Sequence, residues 1–155
     1  MGIFEVRNYF KANGIPEEIK EFEVSSATVE LAAQALGVAP QLIAKTLSFD
    51  IQGQPILIVA AGDARVDNRK YRDLFGAKAR MLSAEDALLA TGHPVGGVCP
   101  FALLSDVKVY LDASLQRFET IYPAAGSAAS CVVITPARLQ AVTGGEWVDV
   151  CKLPE

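Results

Sequence analysis

The sequence predicts a mixed α/β fold, of the α+β kind, in one domain spanning residues 1–155. Three observations predict it. Two apolar, β-prone runs, 46–51 and 55–61, flank Gln52-Gly53-Gln54 and read as a hairpin. Several stretches of helical period are bounded by side-chain caps in front and glycines behind. These helices and strands alternate irregularly, with several hairpins, which favours a mixed sheet over a doubly wound one. A chain of 155 residues is long enough to bury a sizeable core.

Residues 3–13 read as an amphipathic helix with Ile3, Phe4, Val6, Tyr9 and Phe10 on one side, ended at Asn13-Gly14. Glu21-Phe22-Glu23-Val24 alternates as a short strand. Thr28 is a helix cap, with Glu30 in the first turn, Val29, Ala32, Ala33 and Leu36 in helical period, and Gly37 as the stop. Pro40 suits the start of a second helical turn running to about Lys45. After the hairpin, 67–75 is a helix with Tyr71, Leu74 and Phe75 inward, and 80–82 a short strand. Ser83 caps a helix through Leu89. Strands follow at 107–111, 120–123, 131–134 and 147–151, with a helical turn at 113–115 and a helix at 136–142.

Composition narrows the function classes. The chain is 51% hydrophobic and 21% charged, which argues for a folded globule rather than disorder. No apolar run approaches the ~20 residues of a membrane helix, and the N-terminal residues lack the basic-then-apolar order of a signal peptide. Cys99, Cys131 and Cys151 are odd in number and far apart, so they read as free thiols in a reducing, cytoplasmic setting. One histidine, His93, and no close cysteine pair make a zinc site improbable. Net charge is −4. Its distribution is uneven: Arg65, Arg69, Lys70, Arg72, Lys78 and Arg80 face only Asp67 and Asp73 in one short window. Such a window is either a solvated helix face or a patch that meets phosphates.

Two local features stand out. Gly92-His93-Pro94-Val95-Gly96-Gly97-Val98-Cys99-Pro100-Phe101 packs three glycines and two prolines into ten residues. Glycine allows close backbone approach and proline fixes φ, so this is a shaped loop suited to binding through peptide groups. Its glycine spacing matches neither a phosphate-cradling Walker sequence nor a dinucleotide fingerprint. Lys45 is the only charge between Ala39 and Leu47. It either snorkels to solvent or points into a pocket. No standard catalytic cluster is visible. His93 and Cys99 share the loop, which allows a nucleophile–base pair or a buried free thiol.

Thr28-Val29-Glu30-x-Ala32-Ala33-x-x-Leu36-Gly37-Val38, Ile43-Ala44-Lys45-Thr46-Leu47, Gly62-Asp63 and Gly96-Gly97-Val98-Cys99-Pro100-Phe101 together resemble the YbaK family. This is the prolyl-tRNA synthetase-associated editing domain, also found as free-standing proteins. Leu139-x-x-Val142-Thr143-Gly144 and Trp147-Val148-Asp149 extend the resemblance over nearly the whole chain. It implies a mixed, mainly antiparallel curved sheet surrounded by short helices. It implies hydrolysis of the ester joining a wrong amino acid to tRNA, with no metal or organic cofactor. Aminoacyl-tRNA is then the substrate, tRNA-Pro or a related tRNA the carrier, and a synthetase such as prolyl-tRNA synthetase a partner. By the resemblance, Lys45 organises the tRNA end and acts in catalysis with Gly96 and Gly97. The resemblance also implies that Val29, Leu47, Val98, Cys99, Pro100 and Phe101 surround the aminoacyl group. The charge window is a separate expectation: where it is a phosphate-meeting patch and not a solvated face, Arg69, Lys70, Arg72, Lys78 and Arg80 meet the tRNA.

That implication agrees with the residues. An aminoacyl ester is already an activated acyl group, so positioned water and charge stabilisation suffice. A synthetase pocket separates substrates differing by one methylene by only about 1–3 kcal/mol, which is why a second sieve is useful. The loop brings no charged side chain, so small uncharged amino acids are expected: alanine first, then serine, cysteine or threonine. The chain departs from the family at Cys99, where serine or threonine is expected, at Ala102, where glycine is expected, and at Ser130, where some members have histidine. Two other readings stand beside the deacylase. A non-catalytic tRNA-binding module would keep the basic window and tolerate loss of Lys45. A synthetase-docking protein would show an exposed apolar patch and little hydrolysis.

Overall fold

The long hairpin organises the molecule. In the computed structural model, which describes residues 2–94, 96–104 and 106–154, β2 (Ile43–Ile51) and β3 (Gln54–Ala61) pair antiparallel over eight positions. Their apolar, β-branched composition suits a sheet buried on both faces, and Ile56 to Ala61 are all buried. Gln52 and Gly53 make the turn with positive φ. β5 (Lys108–Asp112) joins β3 in parallel, β8 (Glu146–Val148) joins β5, and β6 (Tyr122–Pro123) joins the far edge of β2. The sheet order is β6-β2-β3-β5-β8. Two small antiparallel pairs complete it, β1 (Ile19–Glu21) with β7 (Ser130–Val132) and β4 (Arg65–Val66) with β9 (Cys151–Lys152). Mixed pairing and short surrounding helices are the expected fold class.

The helices start and stop by side-chain capping. α1 (Ile3–Ala12) buries Val6 and Phe10. Thr28 accepts from the Leu31 amide at 3.1 Å to open α2 (Val29–Leu36), which Gly37 ends in the left-handed conformation. Asp67 opens α3 (Asn68–Phe75), Ser83 opens α4 (Ala84–Thr91), and Thr135 opens α5 (Pro136–Thr143), each through an oxygen accepting a backbone N–H. One helix of the sequence reading shrinks. Pro40–Leu42 is a single 3-10 turn and Lys45 lies inside β2. The strand continues through Ile43 because Ala44 pairs with Ala61 across the hairpin.

Three strands also differ from expectation. The first lies at Ile19–Glu21 rather than 21–24, because Ile19 pairs with Val132 while Val24 points to solvent at 64% exposure. Residues 80–82 make only one bridge, Met81 with Phe49. The last strand is two: Asp112 is buried, and its Oδ1 accepts the Val150 amide at 2.9 Å and the Cys151 amide at 3.2 Å, which turns the chain out of the sheet between β8 and β9. No helix among the described residues is long and apolar enough to cross a membrane.

Candidate active site

The candidate site lies where, among the described residues, β2 has a strand partner on one side only. β6 covers the outer edge of β2 at Ile43 and Ala44. The 80–82 segment covers it again further on: the Leu82 amide donates to Ser48 O at 3.0 Å and the Asp50 amide to Arg80 O at 2.8 Å. Between these, Lys45, Thr46 and Leu47 have a strand partner only on the β3 side among the described residues. Peptide groups alternate sides along a strand, and those of Ser48 and Asp50 face outward, so the Thr46 N–H and C=O face the open edge. A cavity of about 340 Å³ opens there. Its walls come from the start of α2, the open stretch of β2, the 82–84 segment with Ala87 of α4, Gly96 and Val98 of the glycine loop, Tyr122, and the start of β7. That volume is at the small end of ordinary ligand sites.

Among the described residues, Lys45 is the only charged one of this lining. It is partly buried, and its Nζ donates to the carbonyl oxygen of Ala64. Burial pulls its pKa below the ordinary lysine value, with Arg65 adding to the effect and Asp63 and Glu30 opposing it. The Ala64 carbonyl is itself fixed from behind. Arg117 grips Asp63 with two hydrogen bonds, 2.6 and 3.2 Å, and donates its Nε to Ser114 O at 2.8 Å. That guanidinium holds the Asp63 carboxyl below its usual range. A bidentate Arg–carboxylate pair is among the better-ordered ion pairs, so the turn after β3 is a firm seat for the lysine. Nothing in the sequence signals Arg117.

The expected substrate residues divide. Val29, Leu47, Val98 and Gly96 line the cavity with Lys45. Ser26 and Ser48, which the sequence did not single out, add hydroxyls, as do Thr28 and Ser83, read there only as helix caps, and Ser130, read as a departure from the family. The loop crosses the 126–128 segment so closely that glycine is required. Gly96 has φ +82°, and a methyl group on it would lie 2.9 Å from the Ala27 methyl. Gly97 is buried beside the 126–127 backbone rather than on the cavity wall. Cys99, Pro100 and Phe101 are buried and none belongs to the lining. The Phe101 ring stands edge-on to Phe10 of α1, centroids 5.1 Å apart. Pro100 borders a separate cavity of about 430 Å³ with Tyr9, Ala102 and Val107. Val95 lies outside the described residues.

His93 and Cys99 meet, but not as nucleophile and base. Cys99 is 0% exposed, and burial pushes its thiol up to about 12. A nucleophilic cysteine needs an accessible thiolate. The His93 Nε2 lies 2.6 Å from Phe101 O and 3.5 Å from the Cys99 Sγ. A carbonyl oxygen only accepts, so the Nε2 proton is directed at Phe101. On the deacylase activity that the resemblance implies, Cys99→Ser is therefore expected to keep at least half of wild-type turnover on a mischarged tRNA in a folded protein. Complete loss with native circular dichroism and Tm would restore a covalent mechanism.

Of the expected tRNA contacts, Arg69, Arg72, Lys78 and Arg80 are exposed, on α3 and the segment after it. Lys70 is tied down: its Nζ donates to Asp149 Oδ1 and to Cys151 O, each at 2.9 Å. The window runs along the chain straight into the cavity wall at Leu82. Among the described residues, no three His, Cys, Asp or Glu side chains gather where a metal ion would sit.

The fold is a mixed sheet whose strand β2 presents one seated cation to a small cavity walled in part by the glycine loop. Residues 23–142 match the aminoacyl-tRNA editing domain family, and this chain belongs to that family. It is 52% identical over 154 residues to the uncharacterized protein YwhH of Bacillus subtilis, covering 98% of each chain. It is 33% identical over 140 residues to a proline–tRNA ligase of Desulfovibrio desulfuricans, spanning 88% of this chain and 24% of the ligase. A crystal structure described as a candidate trans-editing enzyme for prolyl tRNA synthetase superposes with a TM-score of 0.90 at 28% identity, covering 97% of each chain.

Proposed function

We propose that this protein hydrolyses, in trans, the ester that joins a wrong small amino acid to tRNA-Pro or a related tRNA. The observation that carries the reading is the seating of Lys45. A single lysine, held by the Ala64 carbonyl, is the one charge among the described residues of a cavity that the glycine loop helps to wall. In the proposed reaction a water adds to the ester carbonyl. The oxyanion is stabilised by the Lys45 ammonium and by peptide N–H groups, with that of Thr46 at the open sheet edge the best placed. Collapse breaks the acyl C–O bond, the terminal ribose hydroxyl leaves with a proton, and the free amino acid departs. Lys45 also attracts the phosphate of the terminal nucleotide.

The lining supports small substrates. Val29, Leu47, Val98 and the alanines leave little room, and the hydroxyls of Ser48 and Ser130 suit a polar side chain no larger than threonine. Alanyl-tRNA is taken fastest, with seryl-, cysteinyl- and threonyl-tRNA behind it and prolyl-tRNA excluded. Deacylation rates across those five substrates test this, and prolyl-tRNA as the fastest overturns it. The likeness to part of a proline–tRNA ligase supports a synthetase as the partner that supplies the errors.

The exposed cations of the basic window carry the acceptor arm. Reversing Arg69 and Arg72 to glutamate raises KM for tRNA several-fold and flattens its salt dependence. Hydrolysis of a small aminoacyl ester is unchanged. Equal effects on both substrates would make the window an ordinary solvated face.

A further inference from the structure

The glycine loop needs a fixed shape to form a cavity wall, yet its described residues have no regular secondary structure. His93 supplies the fastening. It is 1% exposed, and its Nε2–H donates to Phe101 O across the base of the loop at 2.6 Å. This closes 93–101 into a ring, inside which the Gly97 amide donates back to Pro94 O at 2.9 Å. The stem is anchored from α4: the His93 amide donates to Thr91 Oγ1 at 3.2 Å, and that hydroxyl donates to Ala87 O at 2.7 Å. Ala87 is itself a cavity wall residue. The clasp therefore ties two walls of one cavity together.

We infer that His93 is a positioning residue, whose neutral imidazole clasps the glycine loop and sets Gly96 and Val98 against the substrate. The inference rests on the reading of the cavity as the deacylase site. The imidazole must be neutral for a geometric reason. With Nε2–H spent on Phe101, Nδ1 is bare, buried and without a partner among the described residues. A second proton there would sit unsolvated with no acceptor. Burial accordingly lowers the His93 pKa, against small opposing effects from the Phe101 carbonyl and from Glu5 of α1. Glu5 is the charged side chain that bears on the ring, and the Cys99 thiol beside it is uncharged. The sign follows: above the unfolded value, about 6.5, both states are neutral and the clasp is intact. As pH falls, the unfolded chain takes up its proton first and stability is lost down through the folded value.

The experiment compares wild type, His93→Leu and His93→Gln, the last keeping an N–H donor in place of Nε2. Three quantities are read: kcat and KM on a mischarged tRNA, alkylation of Cys99 followed by peptide mass at pH 7.5, and Tm between pH 7 and 5. His93→Leu is expected to lower kcat about 10- to 100-fold with KM within twofold, and to speed Cys99 alkylation at least about tenfold as the loop opens. His93→Gln restores both toward wild type and loses less Tm on acidification than wild type does. Wild-type kcat and Cys99 protection in folded His93→Leu overturn the inference. So does a folded His93→Gln whose Cys99 is labelled more than tenfold faster than in wild type, which also decides the matter if the leucine variant fails to fold. Alkylation does not depend on turnover. If wild type hydrolyses none of the mischarged tRNAs, the deacylase reading fails, while labelling still judges the clasp.

Discussion

Lys45→Ala lowers deacylation of a mischarged tRNA by at least about 100-fold, the scale of losing one positioned electrostatic group at a reacting centre. Among the described residues no other charged side chain lines the cavity, so no second cation of the lining replaces it. Stability changes less. The substitution removes the donor to the buried Ala64 carbonyl, and an unmet buried acceptor costs about 1–3 kcal/mol unless water enters. The cavity is open, so water reaches this side and the lower figure applies. The alkaline side of the rate profile adds a second check. Burial lowers the Lys45 pKa, so wild-type kcat/KM falls as pH rises through a value below the ordinary ~10.4 of lysine. A folded Lys45→Ala protein with normal turnover would remove the assignment and favour the non-catalytic tRNA-binding reading.

Gly97→Val abolishes turnover, and it does so by moving a wall rather than filling the pocket. A Cβ at Gly97 would lie 2.5 Å from the Ser127 nitrogen and 2.6 Å from the Gly126 carbonyl carbon, both backbone atoms. Backbone gives way less readily than a side-chain tip, so the loop and the 126–128 segment must separate. Ala128 holds the start of the cavity from the other side, accepting from the Ser26 amide at 2.6 Å. Overpacking of this kind costs roughly 1–3 kcal/mol, read as a drop in Tm alongside the lost activity. Gly97→Ala, which adds the Cβ alone, gives an intermediate Tm and rate. A Gly97→Val protein with wild-type rate and Tm would show that the loop does not form the wall in the way described. Gly97 does not have a positive φ, so the obstacle is the neighbouring chain and not the torsion.

These two residues show what was legible. Lys45 was readable because charge is rare in an apolar strand: a lone cation there needs a polar seat or a route to water. The seat itself was not readable. Ala64 lies 19 positions away, and Arg117, which fixes the turn through Asp63, lies 54 positions beyond that aspartate. The glycine loop was readable from composition, since only backbone crowding explains so many glycines and prolines together. Which of its residues face the cavity was not. Cys99, Pro100 and Phe101 belong to the same motif as Gly96 and Val98, yet their burial turns on α1 and His93.

The sequence by itself determined the local events. Thr28 and Ser83 begin helices, Gly37 ends one, and the β2–β3 hairpin follows from its apolar runs and its turn. Each depends on residues within a few positions, where capping, torsion and side-chain period act directly. The tertiary structure alone decided the rest. Among the described residues it left Lys45–Leu47 without a second strand, and it split the last strand at the buried Asp112 carboxylate and brought the 126–128 segment under the loop. Those outcomes depend on which distant segments compete for one sheet edge, one carboxylate or one patch of backbone. That competition is settled by packing across the whole chain, and no local pattern of residues encodes it.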